Sequence, residues 1–178
     1  VVILGLFVHM GITYMTLLKI FTTMDIKHFL KSMAPVQLLG FSTSSSGATL
    51  PVTMKRCEKD LGISEEISSF VLPLGATINM DGTALYQGVA AVFIAQAVGM
   101  DLTLANQFTI VATAVLASIG TAAVPGAGII MLIIILEAIN VPSEGIALIL
   151  GVDRILDMIR TATNVTGDAT VASVMDSL

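Results

Sequence analysis

Residues 153–168 read DRILDMIRTATNVTGD, an apolar helical pattern that carries a stripe of polar side chains. At 3.6 residues per turn these polar positions share one face of an α-helix. They are Asp153, Asp157, Arg160, Thr161, Asn164 and Asp168. Ionisable groups inside a membrane are costly and mark ion or substrate paths. A structural ion-pair network would predict balanced charge, but this face has three carboxylates and one guanidinium. It therefore offers a site for an anionic group and leaves negative charge for cations.

The composition around this stripe is that of an integral membrane protein. The 178 residues are 55% hydrophobic and 12% charged, with a mean hydropathy of +0.94, whereas soluble domains have about 25% charged residues. The single Cys57 excludes a disulfide within the chain and a thiolate metal cage. Because the chain starts without Met inside an apolar run, we expect it to be part of a longer protein. Its length accommodates about four to six membrane-embedded elements of ~20 residues.

The positions of Lys and Arg predict the membrane topology. Basic residues cluster at 19–31 and at 55–59, and none occurs between 60 and 153. The positive-inside rule assigns both clusters to the cytoplasm, so the stretch between them must enter the membrane and return. Its serine-rich middle, 42–47, is a poor helix interior and needs surrounding protein or water. We therefore predict a transmembrane helix at 1–22, a cytoplasmic linker at 23–33 and a re-entrant hairpin at 34–66.

The second half of the chain contains two further predicted breaks. Residues 67–100 are long enough to cross the membrane, but TINMDGT at 77–83 predicts an interrupted helix; in a soluble protein the Asp-Gly pair would indicate a plain turn. The loop GTAAVPGAG at 120–128 joins two apolar runs that each span about half a membrane. We predict a second re-entrant hairpin at 107–145 and a last transmembrane helix at 146–178. A kinked spanning helix with small packing residues is the alternative to this hairpin.

A weak repeat relates the two predicted hairpins. SGATLP precedes a helix with Asn79 and Asp81, and SIGTAAVP precedes a helix with Asn164 and Asp168. The two units enter from opposite faces of the membrane. The predicted fold class is therefore an all-α integral membrane unit, with transmembrane helices plus two re-entrant helical hairpins in an inverted repeat. This architecture is typical of secondary transporters.

The breaks also predict binding chemistry. Half-helix N-termini at the serine tip direct N–H groups and positive dipoles at an anion, which suits an α-carboxylate; an ordinary polar loop is the alternative. Freed carbonyls around Asn79 and Asp81 offer the oxygen ligands that hard cations prefer, without the spaced acids of an EF-hand. The loop at 120–128 lacks the Lys of a P-loop and is interpreted as a mobile gate. His9 and His28, far from these motifs in the sequence, are interpreted as a helix-facing side chain and a solvated loop side chain.

Four motifs occur in order along the chain: SSSGATLPVT at 44–53, LPLGATINMDGTALYQG at 72–88, ASIGTAAVPGAGIIML at 117–132 and ILDMIRTATNVTGD at 155–168. Together they resemble the dicarboxylate/amino acid:cation symporters, the family of glutamate and aspartate transporters. The resemblance covers essentially the whole chain, which looks like the C-terminal half: helix six, hairpin one, helix seven, hairpin two and most of helix eight. It implies that upstream helices form the scaffold and the contacts of a homotrimer.

The resemblance also implies roles for individual residues. Arg160 would form a bidentate pair with the side-chain carboxylate of the substrate, for which guanidinium is suited. Asp157 would bind the α-ammonium, and Ser46 and Asn164 would hold the α-carboxylate. The pocket would be completed by Thr83, Thr161, Val124 and Gly128. One sodium would lie among Gly75, Asn79, Asn164 and Asp168. A second would use backbone oxygens of Thr77, Ser118, Ile119 and Thr121. A third would use Asn79 and Asp81 with ligands from the upstream half.

The sequence departs from the family pattern at two places. Ser44 stands where some archaeal members have Arg just before the tip serines, and an Arg occurs instead at Arg154. Arg154 lies off the polar stripe and could pair with Asp153, Asp157 or a group of the serine tip. Ala123 stands where some members have Gly, which predicts a less mobile gate.

These interpretations predict a sodium-coupled importer of glutamate or aspartate that works by alternating access. It would be a multi-pass protein of the cell membrane, in contact with lipid, with sodium as the coupled ion, no organic cofactor, no nucleic-acid partner and no enzymatic activity. A proton- or sodium-coupled C4-dicarboxylate carrier of the same family is the alternative, although such a substrate gives Asp157 no amine to bind. An intramembrane protease would need a Ser/His pair in the bundle core, or a Gly-x-Gly-Asp segment where the chain reads VTGD. Paired closing hairpins argue against a channel as the main role.

Overall fold

The computed structural model describes residues 1–178 and is helical throughout, without strands. The helices are α1 (Val2–Phe21), α2 (Ile26–Thr43), α3 (Ser46–Lys59), α4 (Glu65–Ile78), α5 (Asp81–Ala97), α6 (Leu104–Ile119), α7 (Ala127–Ala138) and α8 (Leu150–Ser177), with a 3₁₀ segment at Ser143–Leu148 before α8. The all-helical class predicted from the sequence is confirmed. The re-entrant insertion and the inverted repeat remain predictions.

Helix α1 is the one helix that is long and apolar enough to cross a membrane. Its 20 residues span about 30 Å at 1.5 Å per residue, which matches a hydrocarbon core. The helix is not uniform, because His9–Tyr14 form a π-helical segment in its middle. At Thr22 the backbone becomes extended and α1 ends.

Helices α2 and α3 pack against each other as a pair joined at Ser44 and Ser45. Asp25 caps α2 by accepting a hydrogen bond from the His28 N–H, as short polar residues do at helix starts. The helix therefore begins at Ile26, and the predicted linker at 23–33 is mostly helical. Ser44 has a left-handed backbone, φ 52°, which ends α2. Ser45 then caps α3 through a bond from the Ala48 N–H, so the chain reverses within two residues.

The chain leaves the helix between α4 and α5 at Asn79 and Met80, inside the stretch where the sequence predicts an interruption. Neither residue has helical dihedral angles. Helix α4 therefore ends, and α5 begins, within the molecule. The carbonyl end of one helix and the N–H end of the next consequently lie side by side at this point.

Helices α6 and α7 form the second packed pair. Thr103 caps α6 through a bond from the Asn106 N–H, and the loop 120–126 follows its end. Gly126, φ 78°, precedes the first residue of α7. A side chain there would be strained, which explains a glycine at this position.

Helix α8 is the centre of the molecule, because it packs against α1, α2, α3, α4 and α5. One apolar cluster joins α5 to the second pair and includes Ile94, Ile110 and Leu132. The other joins the first pair to the C-terminal part of α8. Between the two clusters, the polar face of α8 meets both loops and the α4–α5 break.

Candidate functional site

The polar stripe of α8 is buried along its whole length. Its six members are each less than a tenth exposed: Asp153, Asp157, Arg160, Thr161, Asn164 and Asp168. Such groups are rarely buried unless they are paired or serve a ligand. The predicted polar face is therefore confirmed as an interior surface.

The tips of the two helix pairs meet over this face. The Ser45 hydroxyl donates to the Ala123 carbonyl at 2.7 Å, and the Gly47 N–H donates to the same oxygen at 3.2 Å. The predicted convergence of both tips with the polar face is therefore present. Ala123, which the sequence singles out as a departure, provides the oxygen that holds the tips together.

Arg160 is the central charge of the site. Its side chain is 1% exposed, and its guanidinium carbon lies 3.8 Å above the ring of Tyr86. One nitrogen donates to Asp157 at 2.8 Å and lies 3.6 Å from an Asp153 oxygen. The other two nitrogens, Nε and Nη1, are buried without a hydrogen-bond partner. Buried unpaired donors of this kind are costly, so Arg160 is suited to receive an anionic oxygen group.

Asp157 connects Arg160 to the second loop. One of its oxygens accepts from Arg160, and the other accepts from the Gly126 N–H at 3.0 Å. Gly128 leaves room for the guanidinium, because a Cβ there would lie 2.9 Å from Arg160 Nη1. The loop that the sequence predicts as a gate is thus bonded to the charged centre of the site.

A small polar cavity lies under the joined tips. Its lining residues are Ser44, Ser46, Met80, Thr83, Thr121, Ala122, Ala123, Val124, Gly128, Asp157, Thr161 and Asn164. Seven of the eight predicted substrate-binding residues are among them, and Arg160 is adjacent through Asp157 and Gly128. The cavity of about 20 Å³ holds roughly one water. An amino acid therefore requires the tips to separate.

Asn164 joins α8 to the start of α5. Its oxygen accepts from the Gly82 N–H at 2.9 Å, and its amide nitrogen donates to the Thr83 hydroxyl at 3.1 Å. One helical turn later, Asp168 accepts from the Asn79 amide at 3.0 Å. Asp168 also lies against Gly75, where a Cβ would be 2.7 Å from its oxygen. Three members of the predicted first cation set, Gly75, Asn79 and Asp168, thus lie together at the α4–α5 break, and their binding of a cation stays a prediction.

The residues predicted to form the second cation site are less closely associated than those predicted to form the first. Helix α4, which carries Thr77, contacts α6, which carries Ser118 and ends at Ile119. The hydroxyls of Thr77, Ser118 and Thr121 each donate to carbonyls of their own helix. No hydrogen bond joins Thr77 to the α6 residues, and Ile119 is about half exposed.

Asp81 of the predicted third set is held by α1. The Tyr14 hydroxyl donates to one carboxylate oxygen at 2.7 Å, and His9 Nε2 lies 2.8 Å from the other. His9 faces α5, in agreement with the interpretation of a helix-facing side chain, but its contact with Asp81 and the role of Tyr14 were not predicted from the sequence. In an α-helix, residues five positions apart face different directions, so the sequence pattern provides no reason to group His9 with Tyr14.

The ligand atoms available at the predicted cation sites limit the kind of ion that these sites can hold. No group of three or more His, Cys, Asp or Glu side chains is placed to hold a metal. Any cation site here combines one or two carboxylates with amide, hydroxyl and carbonyl oxygens. A hard cation of low charge suits such a ligand set.

Arg154 lies near the N-terminal end of α8, outside the buried polar stripe. Its side chain is exposed and forms no ion pair with Asp153 or Asp157. The possible pairing with Asp153 or Asp157 is therefore absent from the structure.

Comparison of the sequence with known proteins identifies one matching family. The sequence profile of the sodium:dicarboxylate symporter family matches residues 1–178. Excitatory amino acid transporter 4 of Mus musculus is 44% identical over 177 residues, which cover 99% of this chain and 32% of that protein. A putative sodium-dependent excitatory amino acid transporter, glt-4 of Caenorhabditis elegans, is 45% identical, with coverages of 99% and 36%. Neutral amino acid transporter A of Bos taurus is also 45% identical, with coverages of 99% and 33%. The chain spans about a third of the length of these relatives.

Proposed function

The chain belongs to the sodium:dicarboxylate symporter family, and from this premise we propose that the protein carries acidic amino acids into the cell together with sodium, by alternating access. Families of this kind are membrane transporters. The observation that carries the substrate assignment is Arg160, a buried guanidinium with two unpartnered nitrogens beside a cavity. The protein would be a multi-pass component of the cell membrane.

Arg160 favours an acidic substrate over a neutral one. The names of the relatives include both excitatory and neutral amino acid transporters, so similarity alone does not select the substrate. A neutral side chain would leave the two guanidinium nitrogens unpaired, whereas the second carboxylate of aspartate or glutamate pairs with them. Asp157 lies on the same side and would receive the α-ammonium. The tip serine Ser46 and Asn164 would hold the α-carboxylate.

The α4–α5 break supports cation coupling. Asp168 and Asn79 lie together against the backbone of Gly75, and Asp81 lies three residues from the end of α4. Sodium at this break would fix the start of α5, which contributes Thr83 to the cavity. Cation binding would therefore organise the substrate site before it closes.

The joined tips support a gating role for 120–128. The cavity under them is too small for an amino acid, so this loop must open for entry and close over the substrate. Opening breaks the two bonds to the Ala123 carbonyl and the bond from Gly126 to Asp157. The helices outside this chain would supply the fixed scaffold and the homotrimer contacts. Chemical crosslinking in native membranes tests the trimer.

Replacement of Arg160 tests the substrate assignment. In the full-length protein reconstituted in liposomes, Arg160→Cys should weaken aspartate binding at least about a hundredfold, or about 2.7 kcal/mol, because two charge-assisted bonds are lost. Binding of serine or alanine should persist or improve. Arg154→Cys, which removes an exposed arginine from the same helix, is the matched control and should leave aspartate affinity unchanged. Unchanged aspartate affinity in Arg160→Cys would refute the assignment.

A C4-dicarboxylate carrier remains the second candidate. In the structure both oxygens of Asp157 already accept hydrogen bonds, from Arg160 and Gly126, so the site is satisfied without an amine. Competition between succinate and aspartate separates the two candidates. If succinate displaces aspartate at equal concentration, and Asp157→Asn binds both equally, the dicarboxylate carrier is favoured.

A further inference from the structure

The π-helical segment His9–Tyr14 lies where α1 faces the α4–α5 break. In an α-helix, two residues five positions apart differ by about 140° around the axis and face different neighbours. In a π-helix the bonds run from i to i+5, so residues five apart lie one above the other. His9 and Tyr14 are the first and last residues of this segment. The local helix type therefore brings both side chains onto one face.

Both side chains on this face bind the same carboxylate. The Tyr14 hydroxyl donates to Asp81 Oδ1 at 2.7 Å, and the His9 imidazole, whose Nε2 lies 2.8 Å from Oδ2, donates to the second oxygen. The two rings also pack edge to face, with centroids 4.8 Å apart. The carboxylate is thus held at both oxygens by a pair of rings that support each other. Each oxygen retains a further lone pair, and the Asp81 side chain is 34% exposed, so it can still bind a cation.

Gly167 of α8 leaves space for the Tyr14 hydroxyl in this arrangement. A Cβ at Gly167 would lie 2.6 Å from the Tyr14 hydroxyl oxygen and 3.2 Å from the Asn79 amide nitrogen. The hydroxyl therefore occupies a notch that only glycine leaves open. Tyr14 is 3% exposed. Three separate elements, α1, α5 and α8, are thus matched to one another at Asp81.

We propose that His9 and Tyr14 are positioning residues, which hold the Asp81 carboxylate in the orientation that binds the co-transported cation. This inference rests on the proposed function, in which Asp81 is a cation ligand. Hydrogen-bond partners of a metal-binding carboxylate set its orientation, and their loss commonly reduces metal affinity about 10–100-fold. Through the π-helical segment, α1 provides both hydrogen-bond partners of Asp81.

Sodium binding to the full-length protein, measured by calorimetry without substrate, tests the role of Tyr14. Tyr14→Phe keeps the ring and removes the hydroxyl, and it should weaken sodium binding about tenfold. Thr13→Val removes an exposed hydroxyl from the same segment without touching Asp81 and should leave sodium affinity unchanged. At saturating sodium, aspartate affinity should be the same in Tyr14→Phe as in the unmodified protein. A general loss of structure would change both affinities.

Two further variants separate positioning from packing. His9→Ala should weaken sodium binding, and His9→Gln, which keeps an N–H donor, should restore most of it. In an Asp81→Asn background, Tyr14→Phe should have no additional effect, because its partner is already lost. If Asp81→Asn weakens sodium binding and Tyr14→Phe does not, the positioning role is wrong and the cation site stands. If Asp81→Asn leaves sodium binding unchanged, the proposed cation role of Asp81 is itself wrong.

Discussion

At the scale of single residues, the site depends on glycines that face charged groups. Gly128 and Gly75 lie where a methyl group would contact Arg160 and Asp168. The sequence alone identifies both positions by resemblance, but it does not give the reason for glycine there. The structure provides that reason, which is the space required by a buried guanidinium and by a buried carboxylate.

Gly128→Ala is expected to displace the Arg160 guanidinium, because the new Cβ would lie 2.9 Å from Nη1. Aspartate affinity should fall by about tenfold or more, which equals about 1.4 kcal/mol, while the protein remains folded. Gly88→Ala is the matched control, since nothing lies within 4 Å of a Cβ there. Calorimetric titration with L-aspartate in saturating sodium makes the comparison. Equal affinities in the two variants would contradict the placement of Arg160.

Gly75→Ala should weaken the binding of sodium rather than the binding of substrate. The added methyl group would lie 2.7 Å from an oxygen of Asp168 and would push this carboxylate away from Asn79. We expect the sodium concentration for half-maximal binding to rise about tenfold or more, in line with other disturbances of a metal-binding carboxylate. Gly151→Ala, with open space around its Cβ, is the control. A reduced aspartate affinity at saturating sodium would show instead that Gly75 supports the substrate pocket.

At the scale of helices and loops, the sequence predicts the order of the elements better than their ends. The interruption at Asn79 and Met80 falls inside the predicted stretch because Asn, Asp and Gly disfavour a helix interior. The start of α2 at Ile26 was missed, because the cap at Asp25 lies in a basic segment that was interpreted as a linker. The π-helical segment has no signal in the sequence, since its residues are ordinary for an apolar α-helix. At this segment α1 contacts a carboxylate on a neighbouring helix.

The role of the contact between the two tips can be tested with a single substitution. Ser45→Ala removes a hydroxyl that donates to the Ala123 carbonyl and also caps α3. We expect faster hydrogen exchange of the backbone amides in 120–126, because the closed position of the loop loses one of its two bonds to the first tip. Asp25→Ala removes a helix cap of similar worth, about 1 kcal/mol, from the other end of the same helix pair and should leave this loop unchanged. An unaltered exchange rate in Ser45→Ala would mean that the tips are held closed by other contacts.

At the scale of the whole molecule, α8 carries both halves of the proposed chemistry. Asp157 lines the cavity with Arg160 beside it, and Asp168 lies two turns further on against the α4–α5 break. Between them, Asn164 bonds to Gly82 and Thr83 near the start of α5, and Thr83 lines the same cavity. This arrangement could be predicted from the spacing of the stripe, because 3.6-residue periodicity alone places these groups on one face. The meeting of both tips over that face could not, because it depends on how the two helix pairs are placed relative to α8.

Because one helix joins the two sites, sodium and substrate should strengthen each other by the same factor. Coupling between two binding equilibria is reciprocal: if sodium increases aspartate affinity by a given ratio, aspartate increases sodium affinity by that ratio. We expect a ratio of about 5–150, the usual range for such coupling, and we expect Asn164→Ala to reduce it, since its amide bridges α8 to Gly82 and Thr83. Calorimetric titrations of the full-length protein with aspartate, with sodium present and with choline in its place, measure the effect of sodium on aspartate affinity. Sodium titrations with and without aspartate measure the reciprocal effect on sodium affinity. An aspartate affinity that is identical with and without sodium would mean that the cation site at the α4–α5 break and the pocket beside Arg160 act independently, and that the shared helix does not couple them.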